Sequence, residues 1–142
     1  MEIDWNRLKK IRHVVMDMDG TIYQGKKLYP TTLPFLALLR SFDIGYTFLT
    51  NNSSRGIPEY LKHLEDFGIR VEPRQMVSST INTVDYLRRN RPDVQRLFLL
   101  GTKSFREEIV SYGFTDVPME EEPEAVVAAF DPKLDFERLC KA

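Results

Sequence analysis

Two carboxylates stand two residues apart at the end of an apolar run, and a glycine and a hydroxyl follow them: Asp17, Asp19, Gly20 and Thr21. Residues 14–16 predict a fully buried strand, and Gly20 predicts a sharp turn. The carboxylates are therefore expected at the carboxyl end of a core strand, where open α/β sheets bind their ligands. Two bare carboxylates about 5 Å apart repel by roughly 3 kcal/mol at an effective dielectric of about 20. Such a pair should share a proton or hold a hard cation, which favours attack by an ionised aspartate over a structural role.

A second polar group follows the next predicted strand, at residues 46–49. Thr50 offers a hydroxyl there, and Asn51 and Asn52 offer amide donors. Ser53 or Ser54 is expected to cap a helix that begins directly afterwards. The start of a helix is a favoured place for a phosphate group, so this segment predicts a phosphate contact.

Both polar segments resemble motifs of one enzyme superfamily. Residues 17–21, Asp-Met-Asp-Gly-Thr, resemble the D-x-D-G-T signature of the haloacid-dehalogenase superfamily of phosphatases and phosphotransferases, and residues 50–54 resemble its second motif. The Thr-Asn-Asn-Ser form is similar to the NagD-like and 4-nitrophenylphosphatase subfamily. Residues 98–102 and 126–131 also resemble that subfamily's cap, so the likeness covers nearly the whole chain in the right order.

The resemblance implies a Mg²⁺-dependent phosphatase acting on a small phosphomonoester, such as a sugar phosphate, a nucleotide or an aromatic phosphate. Asp17 is expected to take the phosphoryl group as an aspartyl-phosphate, and Asp19 to protonate the leaving oxygen and then deprotonate the attacking water. In the family, the carboxylate matching Asp17 and the backbone carbonyl matching Asp19 also bind Mg²⁺, which suits that ion's preference for oxygen ligands. Contacts with the phosphate are expected from the backbone of Gly20 and from the side chains of Thr50, Asn51 and Asn52.

The composition limits the other classes of function. The 142 residues are 42% hydrophobic and 29% charged, with a net charge of −1, which is typical of a globular chain and gives no basic surface for nucleic acid. No apolar run approaches the roughly 20 residues of a membrane helix, and the first ten residues lack the apolar segment that is expected of a secretory signal. The single cysteine, Cys140, excludes an intramolecular disulfide, fits a cytoplasmic protein and is expected to fill the core.

Strand and helix patterns alternate along the chain, which predicts an α/β fold with a doubly wound parallel sheet. Gly45 is expected to end the first helix, and Ser104 with Glu107 has the spacing of a capping box. A last helix is expected to begin at Asp135. The first helix is expected to have Thr32 as its N-cap and to bury one apolar stripe, formed by Phe35, Leu38, Leu39 and Phe42.

Two domains are expected. The connection at residues 21–29 is too short to hold a cap, whereas a polar, proline-containing stretch at residues 90–95 precedes a second α/β pattern. Residues 1–91 are therefore predicted to form the N-terminal part of the catalytic core. Residues 92–142 are predicted to form the first part of an inserted α/β cap domain, by the family's layout.

The catalytic set found in the sequence is incomplete by the family's pattern. Its later motifs, a lysine that neutralises phosphate and further acidic metal ligands, are not found before Ala142. We therefore expect the N-terminal portion of a longer protein, inactive or weakly active alone, completed by a C-terminal segment or by a second copy in a homo-oligomer. A non-catalytic relative that binds metal, phosphate or a partner is the alternative. A dehalogenase is disfavoured because Asp19 would have no role in its reaction. A receiver domain is disfavoured because its acidic pair precedes a phosphoacceptor aspartate on a later strand, whereas here the acidic pair ends the first strand.

Overall fold

The computed structural model describes residues 4–134 and 136–142, and it divides the chain into two compact units. The first unit contains residues 1–50 and 64–77, and the second contains residues 51–63 and 78–142. Among the described residues, no helix is long and apolar enough to cross a membrane.

Helices and strands alternate in the predicted manner, which confirms the α/β class with parallel sheets. The segment up to residue 78 contains α1 (Trp5–Leu8), β1 (His13–Asp17), β2 (Tyr23–Gln24), β3 (Lys27–Leu28), α2 (Thr32–Ser41), β4 (Gly45–Thr50), α3 (Ile57–Asp66), a 3₁₀ turn (Pro73–Gln75) and β5 (Met76–Ser78). The remainder contains α4 (Ser79–Asn90), β6 (Arg96–Leu100), α5 (Lys103–Ser111), β7 (Thr115–Asp116), β8 (Ala125–Ala128) and α6 (Phe136–Lys141). Asp135, predicted to begin the last helix, lies outside the described residues.

The first sheet has the strand order β1-β4-β5, with β1 parallel to β4 and Asp17 in register with Leu49. The prediction that residues 14–16 are fully buried is wrong, because only one face of this edge strand is covered in the described structure. Met16 is 7% exposed, whereas Val15 is 62% exposed. Successive side chains of a strand point to opposite faces, so Val15 and Asp17 share the exposed face.

Helix α2 forms where it was predicted, but it buries a different stripe. Leu36 and Leu39 are buried, whereas three of the four predicted positions, Phe35, Leu38 and Phe42, are exposed. The helix is apolar on several sides, so spacing alone does not select the face that packs on the sheet. Thr32 is not the N-cap either, because it lies in the first turn and donates its hydroxyl to the carbonyl of Ile22 at 2.6 Å.

The end of α2 is also set by a different residue from the one predicted. Asp43, with φ of 53°, adopts the left-handed conformation after the helix, and Gly45 already belongs to β4. A Cβ atom on Gly45 would lie 2.7 Å from the ring of His13. The glycine therefore allows β1 and β4 to approach each other closely rather than ending the helix.

Two further helix starts differ from the predictions. Helix α3 begins at Ile57, and the amides of Gly56 and Ile57 donate to the carboxylates of Glu59 and Glu108 rather than to Ser53 or Ser54. The N-cap of α5 is Thr102, whose hydroxyl accepts from the amide of Phe105 at 3.2 Å. In both cases the oxygen that accepts from the first amides belongs to a different residue from the one that the sequence suggested.

The second sheet has the order β7-β6-β8, and all its pairs are parallel. Its central strand β6 packs into a core of buried apolar residues. Glu124 ties the starts of the strands together by accepting from the amides of Gln95 and Arg96 at 2.6 and 2.9 Å. Cys140 is exposed and does not fill this core, because α6 has no buried residue.

Replacing Glu108 with glutamine should stabilise the chain at neutral pH. Glu108 is 9% exposed, and its burial raises the pKa of the carboxyl. The pKa of the Glu108 carboxyl is therefore higher in the folded chain than in the unfolded chain. Its contribution to stability is complete below the usual glutamate pKa and is lost as the pH rises through the folded-state pKa. Glutamine resembles the protonated form and can still accept from the amide of Ile57. We therefore expect a higher Tm at pH 7 and no gain near pH 4 in thermal unfolding.

Glu107→Gln is the matched control for this measurement, because Glu107 is exposed and pairs with Lys103 on the surface of the same helix. Its Tm should change little at either pH. A Glu108→Gln variant that unfolds at a lower temperature than the parent at pH 7 would contradict the prediction.

Candidate active site at the end of the first strand

The carboxylate of Asp17 ends β1 on the exposed face of the first sheet. The hydroxyl of Thr21 donates to its Oδ2 atom at 3.1 Å. This hydrogen bond holds the Oδ2 atom and so restrains rotation of the carboxylate about the Cβ–Cγ bond of Asp17. Asp17 is thus an exposed acid with a defined orientation at the carboxyl end of a parallel strand.

A tight turn carries Asp19 just beyond that end. Met18, between the two acids, is 0% exposed and anchors the turn, whereas Asp19 is exposed. Gly20 has φ of 85°, which favours glycine, and its amide donates to the carbonyl of Tyr23 at 2.8 Å. The turn therefore presents two acids and a glycine backbone on one short segment, as the sequence predicted.

Thr50 reaches the same edge of the sheet from the neighbouring strand. It is the last residue of β4, one position beyond Leu49, the register partner of Asp17. Its side chain is 2% exposed. Parallel pairing thus brings Asp17 and Thr50 to one edge of the first unit, although they are 33 positions apart in the sequence.

Asn51 and Asn52 lie in a loop and not at the start of a helix, since α3 begins only at Ile57. Asn52 shapes this loop by accepting the amide of Ser54 on its Oδ1 atom at 3.0 Å. The loop backbone is held by three hydroxyl groups of the second unit. Ser79, Tyr60 and Thr102 donate to the carbonyls of Asn51, Asn52 and Ser54 at 3.3, 2.6 and 2.9 Å, respectively.

If Asn51 and Asn52 contact phosphate, Tyr60→Phe should lower kcat/KM. The variant removes only the hydroxyl that holds the carbonyl of Asn52, and a hydrogen bond of this kind contributes about 1 kcal/mol, so a loss of about fivefold is expected. Steady-state kinetics on an active form of the enzyme measures it. Tyr86→Phe is the control, because Tyr86 is 61% exposed. Equal kinetics for the two variants would show that the Tyr60 hydroxyl does not position the loop.

The oxygen atoms at the end of β1 could supply some, but not all, of the ligands of a hard divalent cation. Within the described ranges, no cluster of three or more His, Cys, Asp or Glu side chains could hold a metal ion. Asp17 offers an exposed carboxylate oxygen and Asp19 its backbone carbonyl, and Mg²⁺ in proteins takes one or two carboxylates together with waters and substrate phosphate. The acids therefore fit Mg²⁺, with the remaining ligands coming from elsewhere.

Sequence reasoning assigned no role to the residues that orient the predicted ones. Thr21 stands four positions after Asp17 within the same motif, and a hydroxyl at that distance was a usable signal. Tyr60 and Thr102 gave no such signal, because the sequence explains Tyr60 equally well as a core aromatic residue and Thr102 as a helix cap. Their contacts with the loop depend on tertiary structure.

Comparison with known proteins places these motifs in a family. Residues 14–115 match the family model of the haloacid dehalogenase-like hydrolases. The 4-nitrophenylphosphatase of Thermotoga maritima superposes with a TM-score of 0.85 at 36% identity, over 94% of this chain and 50% of that protein. The p-nitrophenyl phosphatase of Archaeoglobus fulgidus gives a TM-score of 0.79 at 26% identity, over 91% and 48%.

Curated sequences show the same pattern. The acid sugar phosphatase of Staphylococcus haemolyticus is 26% identical over 135 residues, which is 95% of this chain and 51% of that protein. The chain thus spans about half the length of the curated relatives that it matches.

Proposed function

Because the chain belongs to the haloacid dehalogenase-like hydrolase family, we propose that it carries the nucleophile of a Mg²⁺-dependent phosphatase for small phosphomonoesters. The observation that supports this most directly is Asp17: an exposed carboxylate at the carboxyl end of β1, held by Thr21 and followed by Asp19 and Gly20. Phosphoryl transfer needs an in-line nucleophile, charge neutralisation and positioning, and these residues offer the first of them.

In the proposed reaction, an oxygen of Asp17 attacks phosphorus and the bond from phosphorus to the ester oxygen breaks. Asp19 gives its proton to that oxygen, so the alcohol leaves neutral. Water then attacks the aspartyl-phosphate while Asp19 takes a proton from it, and the bond between phosphorus and Asp17 breaks. Inorganic phosphate is released, and both acids return to their starting protonation states.

Substrate phosphate would be held beside these acids by residues from both motifs. Asp17 through its carboxylate and Asp19 through its backbone carbonyl would hold Mg²⁺, which when bound neutralises charge on the transferring phosphoryl group. The remaining contacts would come from backbone and side-chain donors: Gly20, Thr50, Asn51 and Asn52. The Thr21 hydroxyl would keep the carboxylate of Asp17 aligned with phosphorus, because a small misalignment of a nucleophile is costly.

The substrate class and the domain roles are also proposals. The names of the relatives, an acid sugar phosphatase and 4-nitrophenylphosphatases, support a small phosphomonoester. We assign residues 1–91 to the N-terminal part of the catalytic core and residues 92–142 to the first part of a cap domain. The second sheet, which contains no strand from before residue 96, supports a separate cap, although residues 51–63 and 78–91 belong to the same compact unit as that sheet.

The test is hydrolysis of 4-nitrophenyl phosphate by an active form of the protein, with Mg²⁺ and with EDTA. We expect turnover with Mg²⁺, loss of turnover in EDTA, and recovery when excess Mg²⁺ is restored. Turnover that persists in EDTA would contradict the metal dependence. Absence of turnover of this and a panel of sugar phosphates in a form that spans the full length of the relatives would favour a non-catalytic binder.

A further inference from the structure

A crevice opens at the carboxyl ends of β6 and β8 in the second unit. Its volume is about 380 Å³, within the usual size of small-molecule sites. Two segments form most of its wall: residues 100–103, which connect the end of β6 to the start of α5, and residues 131–134, which come shortly after β8. None of the proposed catalytic residues contributes to it.

The strand order explains why a crevice forms at this place. From β6 the chain passes through α5 to β7 at one edge of the sheet, and it then returns to β8 at the other edge. The loops that leave the neighbouring strands β6 and β8 therefore separate. In open parallel sheets, this change of side is where ligands bind, outside the carboxyl ends of the strands.

The charges around the crevice select an anion. Four cationic side chains line it, and one carboxylate, Asp131, stands against them; the cations are Lys103, Arg106, Lys133 and Arg138. Asp131 accepts the amide of Lys133 at 2.9 Å, which engages one of its oxygens. The net charge of the lining is thus strongly positive, although the net charge of the whole chain is −1.

The two arginines differ in how firmly they are held. Arg138 donates to the carbonyl of Leu99 at 2.7 Å, and its guanidinium lies 4.8 Å from the centre of the Phe98 ring, so it is a fixed part of the wall. Arg106 reaches Asp116 at 3.4 Å, yet its Nε atom is buried and has no hydrogen-bond partner in the part of the chain that the structure describes. The Arg106 side chain is 35% exposed, so the terminal nitrogens of its guanidinium, and not the buried Nε atom, are the donors that a bound oxyanion could reach.

We propose that this crevice binds a small molecule through its phosphate group, at a site additional to the proposed catalytic one. A planar guanidinium matches the geometry of phosphate oxygens, and the two lysines add charge at the rim. Leu100, Pro132 and Leu134 provide an apolar wall for the rest of the ligand. The carboxylate of Asp131 would disfavour a ligand that is anionic along its whole length.

The test is titration of the 142-residue chain with inorganic phosphate in EDTA, followed by backbone amide NMR. We expect saturable shifts at residues 101–103 and 133–134. Lys103→Gln combined with Lys133→Gln should weaken this binding about tenfold. Both lysines are exposed, so the variant should keep the parent's Tm. The control is Lys26→Gln combined with Lys62→Gln, which removes the same charge from exposed positions outside the crevice.

Two results would overturn the proposal: no saturable shift at the crevice residues, or equal weakening by the control pair, which would show diffuse attraction to the surface charge. Phosphate bound at the proposed catalytic residues is distinguishable, because it would shift the amides of Asp19, Gly20 and Thr21 instead. The absence of shifts at one set of amides therefore does not affect how shifts at the other set are interpreted.

Discussion

Asp17→Asn should abolish phosphatase activity while the fold persists. The amide is close to the carboxylate in shape but is a very poor nucleophile, so the covalent route is lost. Loss of a catalytic nucleophile commonly lowers kcat by about 10⁴-fold to 10⁶-fold. Asp17 is exposed and accepts one hydrogen bond from Thr21, so the substitution should change the Tm little. The measurement is 4-nitrophenyl phosphate turnover in an active form of the enzyme, with Tm as the check on folding.

Asp66→Asn is the matched control, because Asp66 is an exposed acid at the end of α3. It should retain the activity of the parent. A direct measurement complements the kinetics: beryllofluoride with Mg²⁺ should bond to Asp17 as a mimic of the aspartyl-phosphate. Finding that mimic on another residue, or substantial turnover in Asp17→Asn, would remove Asp17 from the role of nucleophile.

The order of elements was predictable because it depends on local patterns. Apolar runs that end in polar segments gave β1 and β4, and the apolar spacing after Thr32 gave α2. The buried faces were less predictable. Helix α2 offers Leu36 with Leu39 and also Phe35 with Leu38 at helical spacing, and only packing on the sheet decides between them. The same limit applies to β1, where the exposure of Val15 depends on what covers the sheet.

The positions of the two motifs were predictable for a different reason. Carboxyl ends of parallel strands meet at one edge, so residues that directly follow two strand patterns come together without detailed packing. Asp17 and Thr50 follow this rule. The start of α3 was less predictable, because one partner of its first amides comes from a distant segment. Glu108, which accepts from the amide of Ile57, is 51 positions away in the sequence.

The acid–base role of Asp19 predicts an effect that depends on the leaving group. Asp19→Asn should lower kcat/KM for an alkyl phosphate by about 10²-fold to 10⁴-fold, because an alkoxide is a poor leaving group without a proton. For 4-nitrophenyl phosphate the loss should be much smaller, since 4-nitrophenolate leaves readily without one. Asp19 is exposed on the turn after β1, where a leaving oxygen could reach it. The measurement is kcat/KM for both substrates in the parent and in the variant.

Hydrolysis of the aspartyl-phosphate also needs Asp19, but this step no longer contains the leaving group. Asp19→Asn should therefore release one equivalent of 4-nitrophenol in a burst and then turn over slowly, as the phosphoryl group remains on Asp17. A purely structural or metal-binding role would reduce kcat/KM for both substrates by the same factor and would give no burst. Equal losses without a burst would therefore exclude Asp19 as the general acid and base, while leaving Asp17 as the nucleophile.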